Sequence, residues 1–161
     1  GHRAEPGSLL GCDVGMMSVP ESVIFKPTKL DESDWQMMRE HPARGVAILA
    51  RFSTFSGLLE AVLYHHEKWD GTGYPEGLKG TAIPMGARIL SICDSYDAMI
   101  RGDYAYGVGV TPASALTEVE RCAGTQFDPE LVALFKKVIE ACEAEQAAAL
   151  AAEAAKTQIE A

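Results

Sequence analysis

Three histidines and one aspartate have residue types and positions suited to a metal site. His65 and His66 end an apolar helical stretch, and His41 stands at the corner between two predicted helices. Asp94 lies inside another apolar helical stretch, and a carboxylate is rarely buried unless a metal ion or an ion pair offsets its lost hydration. Imidazole and carboxylate groups together suit iron, manganese and similar ions. These four side chains therefore form a candidate metal site.

Each of these residues also has an ordinary structural explanation. A histidine at a helix corner is often simply hydrogen bonded, and a histidine pair at a helix end can interact with the last carbonyls of the helix. Asp94 could pair with Arg88 or cap a neighbouring turn. Singly, the structural explanations are favoured, and only the combination of the four makes a metal site a serious alternative.

A glycine-rich segment follows the histidine pair. Residues 70–77 contain three glycines and a proline, which predicts an ordered loop rather than a helix or strand. Glycine lets a backbone approach a ligand closely, and Tyr74 offers a stacking face and a hydroxyl group. A tight turn with a packed tyrosine would explain the same residues, so the loop alone is weak support for ligand binding.

The elements that must position these side chains are all predicted to be helices. Apolar residues recur with helical spacing, and capping residues and prolines mark the helix starts. The predicted helices cover about residues 32–40, 43–51, 57–68, 84–100, 111–123 and 128–142. No segment has a convincing strand pattern. The predicted fold class is therefore an all-α bundle with an ordered loop.

Composition and charge narrow the function classes. The formal net charge is −9 without a basic stripe, which argues against general nucleic-acid binding. A small phosphate ligand stays compatible with this charge, because a metal ion supplies local positive charge. No apolar run approaches the roughly 18 residues of a membrane span. The four cysteines include no CxxC pair, so neither a disulfide framework nor a zinc–thiolate site is expected, and the expected compartment is a reducing cytoplasm.

The chain is predicted to contain one folded domain between two simpler segments. Residues 1–8 have the character of a tag or linker, and residues 9–142 form the domain. Residues 143–161 are mostly alanine and glutamate, which favours a helix but offers little apolar surface to bury. This tail is expected to be a helical extension, a linker or a segment that contacts a partner, for example in a homodimer.

One long motif brings in a family resemblance. Residues 65–80 read HHEKWDGTGYPEGLKG, which resembles the HHExxDGxGYPxGLxG motif that names the HD-GYP domains. A motif of this length is highly specific. The similarity extends over about residues 9–140 and includes residues 26–27, 41–45, 83–89, 94–99 and 124–129.

The resemblance implies a fold and an activity. HD-GYP domains are all-α bundles of the HD superfamily with two or three metal ions, often iron or manganese. They hydrolyse cyclic di-GMP to pGpG, and sometimes on to GMP, in bacterial second-messenger signalling. The implied mechanism is metal-assisted hydrolysis, in which close cations hold a hydroxide and offset charge on the phosphodiester.

The resemblance also implies roles for particular residues. Asp13 matches the bridging metal ligand of the family, and Asp13 and Asp94 match its catalytic carboxylates. The full set of matching metal ligands is Asp13, His41, His65, His66 and Asp94. The residues that match the substrate-binding loop are Glu67, Asp70, Gly71, Gly73, Tyr74 and Pro75.

The chain departs from the family pattern in its metal and phosphate machinery. Cys12 stands where the histidine of the HD pair is expected, and Met16 stands where a lysine is expected. A cysteine could ligate a metal as a thiolate, but the resulting site would be softer than usual. The N-terminal helices of the family, which carry a further ligand, are not evident. Residues 103–107 lack the arginines common in the family, with Arg101 out of register.

Two functions fit this pattern. One is a cyclic di-GMP phosphodiesterase whose activity is weak or lost, which the replacements at Cys12 and Met16 favour. The other is a non-catalytic regulatory module that binds cyclic di-GMP or a protein such as a diguanylate cyclase domain. Domains of this family usually follow receiver or sensory domains, so such a domain is a further expected partner.

Overall fold

The computed structural model describes residues 11–102 and 108–159, with side chains described as far as residue 151. In this part of the chain the α-helices are α1 (Glu21–Ile24), α2 (Glu32–Arg39), α3 (His41–Leu49), α4 (Leu59–Tyr64), α5 (Met85–Arg101), α6 (Pro112–Arg121) and α7 (Pro129–Ile159). Short 3₁₀ helices cover Gly11–Ser18, Ser53–Leu58 and Gly80–Ala82. The described residues contain no strand, so the prediction of an all-α fold is confirmed.

The main hydrophobic core joins α5, α6 and the first turns of α7. Its buried side chains are Ile92, Met99, Ala115, Val119, Phe127 and Val132. The core fixes α5 along one side, and α5 also packs against α4. Because α4 ends at the histidine pair and α5 carries Asp94, this packing sets the distance between two parts of the candidate site.

The 3₁₀ helix Gly11–Ser18 is held closely against α3 at Gly15. A β-carbon at Gly15 would overlap the carbonyl oxygen of His41 and would lie 2.7 Å from the nitrogen of Gly45. Real β-carbons do not approach backbone atoms so closely, so only glycine allows this contact. The contact places Asp13, two residues earlier, beside the start of α3.

Two helix boundaries differ from the sequence prediction. The helix predicted to start at residue 43 begins at His41, because Pro42 occupies the first turn, where its missing N–H costs no hydrogen bond. The helix predicted over residues 57–68 is α-helical only over Leu59–Tyr64 and is preceded by a 3₁₀ helix. His65 therefore caps α4 instead of lying within it.

The alanine-rich tail continues α7 as one helix to Ile159, and residues 140–151 are exposed. None of the described helices is long and apolar enough to cross a lipid bilayer. Up to residue 151 the tail is thus a helical extension that buries little surface in the single chain.

Removing residues 143–161 should therefore change the free energy of unfolding by at most about 1 kcal/mol, as for other exposed changes. Chemical denaturation of the full and shortened chains checks this. A larger loss would show that the tail packs against another surface, and a concentration dependence of that loss would identify the surface as a second copy of the chain.

Candidate metal centre

Two buried histidines are each oriented by a backbone carbonyl three residues earlier in the chain. The Nδ1 atom of His41 lies 2.7 Å from the carbonyl oxygen of Met38, and Nδ1 of His65 lies 2.7 Å from that of Val62. A carbonyl oxygen only accepts hydrogen bonds, so Nδ1 donates in both rings. Each neutral ring consequently keeps a lone pair on Nε2, and such backbone partners are typical of metal-binding histidines.

The Nε2 atoms face one another and an aspartate. Nε2 of His66 lies 3.2 Å from Nε2 of His41. Oδ1 of Asp13 lies 3.3 Å from Nε2 of His41 and 3.7 Å from Nε2 of His65. One ligand atom from each of the four residues falls within 4.8 Å of all the others. The structure thus brings together four of the predicted metal ligands.

The electrostatics of this cluster favour an ionised Asp13 and a neutral His66. Burial tends to raise the pKa of Asp13, but the adjacent rings of His41 and His65 outweigh it and hold that pKa well below its usual range. Burial is the main cause that lowers the pKa of His66 well below its ordinary value, and repulsion from His65 and His41 adds to it. An ionised carboxylate and neutral rings are the states in which these groups ligate metals.

One buried nitrogen of the cluster lacks a hydrogen-bond partner among the described residues, which bears on whether a metal ion fits there. His65 is only 1% exposed, and within the described residues its Nε2 has no hydrogen-bond partner. Buried polar atoms of this kind are rare and call for an explanation such as an ion. The available donors, imidazole nitrogens and a carboxylate, suit iron, manganese or zinc. The residues present therefore fit a divalent metal ion.

A second group of potential ligands adjoins the first through Asp13. Cys12, Asp13 and Asp94 each offer an atom within 4.8 Å of the others. Burial, with the nearby charges of Asp13 and Asp94, raises the pKa of the Cys12 thiol to about 12. Burial and the charge of Asp13 raise the pKa of Asp94 to about 6.

Asp94 is not paired with Arg88, which was one structural explanation for a carboxylate in this helix. Arg88 donates to Asp128 at 2.6 Å, in an ion pair whose side chains are largely buried. A second donation, from Nε to the carbonyl oxygen of Ile83, fixes the guanidinium further. Asp94 instead faces the carboxylate and thiol of the second group.

The glycine-rich loop folds back onto the histidine pair. The amide of Tyr74 donates to the carbonyl oxygen of His66 at 3.2 Å, and the Tyr74 ring stacks on the His66 ring with centroids 4.9 Å apart. Gly73 makes this possible, because a β-carbon there would lie 2.6 Å from the same carbonyl oxygen. The loop therefore covers one ring of the cluster.

Glu67 and Asp70 hold the shape of the loop from within. The Glu67 side chain is buried, and its Oε1 accepts hydrogen bonds from the amides of Glu76 at 2.7 Å and Gly77 at 3.0 Å. Oδ1 of Asp70 accepts from the amide and hydroxyl of Thr72. These contacts give both carboxylates a structural task, whereas substrate contact by either stays a prediction.

The remaining predicted loop residues take the conformations that the turn requires. Gly71 has a φ of 87°, in the left-handed region that favours glycine. Pro75 is exposed and follows Tyr74 through a cis peptide bond. The loop is also anchored to the segment before α7, where the amides of Trp69 and Asp70 donate to backbone carbonyls at 3.0 and 2.8 Å. Substrate binding by these residues stays a prediction.

Comparison with known proteins decides the family. The HD domain family model matches residues 7–131, which is most of the chain. The chain belongs to the HD domain family. The resemblance to its HD-GYP type is confirmed by relatives of that type at 35–40% identity.

Two curated relatives and one solved structure illustrate the similarity. A cyclic di-GMP phosphodiesterase of Vibrio cholerae is 40% identical over 80% of this chain and 27% of its own length. A 3′3′-cGAMP-specific phosphodiesterase of the same species is 39% identical over 76% of this chain and 24% of its own length. The crystal structure of a cyclic GMP-AMP-specific phosphodiesterase from V. cholerae covers 68% of this chain and 25% of its own, with 24% identity and a TM-score of 0.58. The chain thus spans about a quarter of the length of these proteins.

Positive charge near this HD domain site comes from residues other than the expected lysine. Met16 is half-buried in the 3₁₀ helix Gly11–Ser18, and a thioether cannot donate to a phosphate. Arg101 pairs with Asp97 at 2.6 Å, one helical turn away. Arg39, which the sequence analysis missed, is close enough to act on the Tyr74 hydroxyl, whose pKa burial nevertheless raises. Residues 103–107 lie outside the described residues.

Placing alanine at Gly73 should disrupt this loop. The added β-carbon would overlap the backbone between His66 and Lys68, which cannot move without displacing the histidine pair. We expect a loss of about 1–3 kcal/mol in the free energy of unfolding, the usual cost of overpacking. Urea denaturation of Gly73→Ala measures the loss.

Gly57→Ala is the matched control, because a β-carbon at Gly57 meets no atom within 4 Å and its φ is not positive. Equal stability of the two variants would contradict the close approach of the loop to the histidine pair.

Proposed function

We propose that this chain is the HD-GYP-type domain of a cytoplasmic signalling protein, and that it holds iron or manganese through Asp13, His41, His65 and His66. Its proposed ligand is cyclic di-GMP, and hydrolysis of the phosphodiester is the activity that the family resemblance implies. The observation that carries the proposal is the unpartnered Nε2 of His65, which is buried and faces the Asp13 carboxylate. The cyclic-dinucleotide relatives support the class of ligand.

Residues of the chain would divide the work as follows. A bound ion would supply positive charge for the phosphodiester and lower the pKa of a water molecule. Asp13 would hold the ion, and Asp94 would orient that water, because a carboxylate oxygen of Asp94 lies within 4.8 Å of one of Asp13. Tyr74 stacks on the His66 ring and would limit the entry of bulk water from that side. The glycines of the loop let its backbone come close to a nucleotide.

We propose further that turnover is weak or lost. Cys12 replaces an imidazole beside Asp13, and Met16 replaces a phosphate-binding lysine, so both metal occupancy and charge stabilisation are reduced together. Retention of the loop and of the histidine cluster is compatible with binding.

A second candidate function is favoured because the loop and the histidine cluster are retained, whereas residues for hydrolysis are replaced. The domain would then be a non-catalytic module that binds cyclic di-GMP or a partner protein, such as a diguanylate cyclase, receiver or sensory domain. The exposed helical tail offers a surface for such a partner or for a homodimer. Tight binding of cyclic di-GMP without turnover distinguishes this module from the enzyme.

Metal analysis tests the proposed centre. We expect about one iron or manganese ion per chain after loading and gel filtration, because the second group of ligands contains a thiol where the family has an imidazole. Elemental analysis gives this count, and Tyr64→Phe serves as a control outside the cluster. Two or more fully occupied iron or manganese ions per chain would contradict the expectation, and no bound metal would overturn the proposal.

A further inference from the structure

The second group of ligands has a donor set unlike that of the histidine cluster. Cys12 contributes sulfur, whereas Asp13 and Asp94 contribute carboxylate oxygens. Cys12 is 2% exposed, so its sulfur is enclosed by protein. The group joins two distant parts of the chain, since Cys12 and Asp13 belong to the 3₁₀ helix Gly11–Ser18 and Asp94 belongs to α5.

The spacing of the three donors is close to that of a ligating set. Ligands of one zinc ion lie about 2.0–2.3 Å from the metal, so two of them are at most about 4.6 Å apart. The donors here lie within 4.8 Å of one another before any ion draws them together. Three side chains from two packed elements therefore present the geometry of an open, three-ligand site.

The adjoining histidine cluster presents a buried nitrogen to the same aspartate. His65 is buried, its Nε2 has no hydrogen-bond partner within the described residues, and that atom lies 3.7 Å from the Asp13 carboxylate. Asp13 has two oxygens and belongs to both groups of ligands. One carboxylate can therefore serve an ion on each side.

The geometry points to a second metal position, formed by Cys12 as a thiolate with Asp13 and Asp94, that selects a thiophilic divalent ion such as zinc over manganese. Thiolate ligands favour zinc, whereas sites made only of carboxylate and water favour manganese or magnesium. The inference rests on the metal centre of the proposed function, but it requires no turnover. The replacement at Cys12 then changes which ion is bound, not simply whether one is bound.

Cobalt titration of the metal-free full chain tests this position. Cobalt substitutes for zinc, and a cobalt–thiolate bond gives a near-ultraviolet charge-transfer band, whereas imidazole and carboxylate ligands give only visible bands. We expect visible bands with the first equivalent and the near-ultraviolet band with the second. Cys12→Ser should remove the near-ultraviolet band and retain the visible ones.

Two further variants make the assignment specific. Cys93→Ser removes a thiol next to Asp94 without touching the proposed ligand set and should keep the band. Cys12→His restores an imidazole and should bind a second ion without the near-ultraviolet band. This variant provides the test if Cys12→Ser does not fold. In competition titrations, Cys12→Ser should weaken binding of the second zinc ion by at least about tenfold. Removing a residue that only hydrogen bonds to a metal ligand already lowers metal affinity by about that factor.

The outcomes separate this inference from the proposed function. Visible bands without a near-ultraviolet band in the unaltered chain would overturn the thiolate position and leave the histidine centre standing. A band that survives in Cys12→Ser would also overturn it, because another thiol would then be the ligand. Failure to bind any cobalt would overturn both.

Discussion

His65→Ala should abolish binding of iron or manganese. In the proposed centre, His65 is the most enclosed ligand, and its ring is held by the carbonyl of Val62 with Nε2 facing Asp13. Removing a residue that only hydrogen bonds to a metal ligand lowers metal affinity by up to about a hundredfold. Removing a direct ligand should therefore weaken metal binding by more than that. Isothermal titration of metal into the metal-free chain measures the affinity.

Thermal unfolding gives an independent readout of the same change. Free metal at a hundred times its dissociation constant should stabilise the unaltered chain by about 2.7 kcal/mol. His65→Ala should lose this gain, whereas Tyr64→Phe, which removes only an exposed hydroxyl bonded to Glu76, should keep it. Equal metal-dependent gains in His65→Ala and the unaltered chain would exclude His65 as a ligand.

Hydrolysis of cyclic di-GMP by the unaltered chain should be negligible with iron or manganese present. Losing one electrostatic contact to a developing charge costs about a hundredfold or more in rate. Met16 removes such a contact, and Cys12 alters a metal position, so the two losses together should bring turnover close to background. Chromatographic detection of pGpG over several hours measures the rate.

The double replacement Cys12→His with Met16→Lys should raise this rate only partly, because residues 103–107 still contain no arginine. The same assay with 3′3′-cGAMP controls for the choice of substrate, since a relative at 39% identity is named for that nucleotide. Turnover of about 1 per second or faster by the unaltered chain, which is typical of enzymes, would show that it is an active phosphodiesterase.

Local signals in the sequence predicted the helices well. Capping residues mark the predicted helix starts, and at the start of α2 the structure shows reciprocal hydrogen bonds between Asp31 and Asp34, at 3.0 and 2.9 Å. Capping residues and apolar spacing act within a few residues, so the sequence reports them directly. The helix start predicted at residue 43 differs from the observed start at His41, because a proline that follows one helix also suits the first turn of the next.

The residues that form the histidine cluster were also predictable, but from the family motif and not from spacing alone. His41 and His65 lie 24 residues apart, and only the close contact of Gly15 with α3 brings Asp13 to both. That contact, and the direction of each imidazole ring, depend on tertiary packing that no local pattern encodes. The same limit applies to Glu67, whose carboxylate faces the loop amides of Glu76 and Gly77.

Anomalous diffraction from crystals of the manganese-loaded chain tests the proposed metal centre most directly. We expect one strong peak about 2.0–2.3 Å from Nε2 of His41, His65 and His66 and from an oxygen of Asp13, within the usual range of metal–ligand distances. The peak should disappear in crystals of His65→Ala. A peak bound by other residues, or no peak between these four side chains in the loaded protein, would contradict the account.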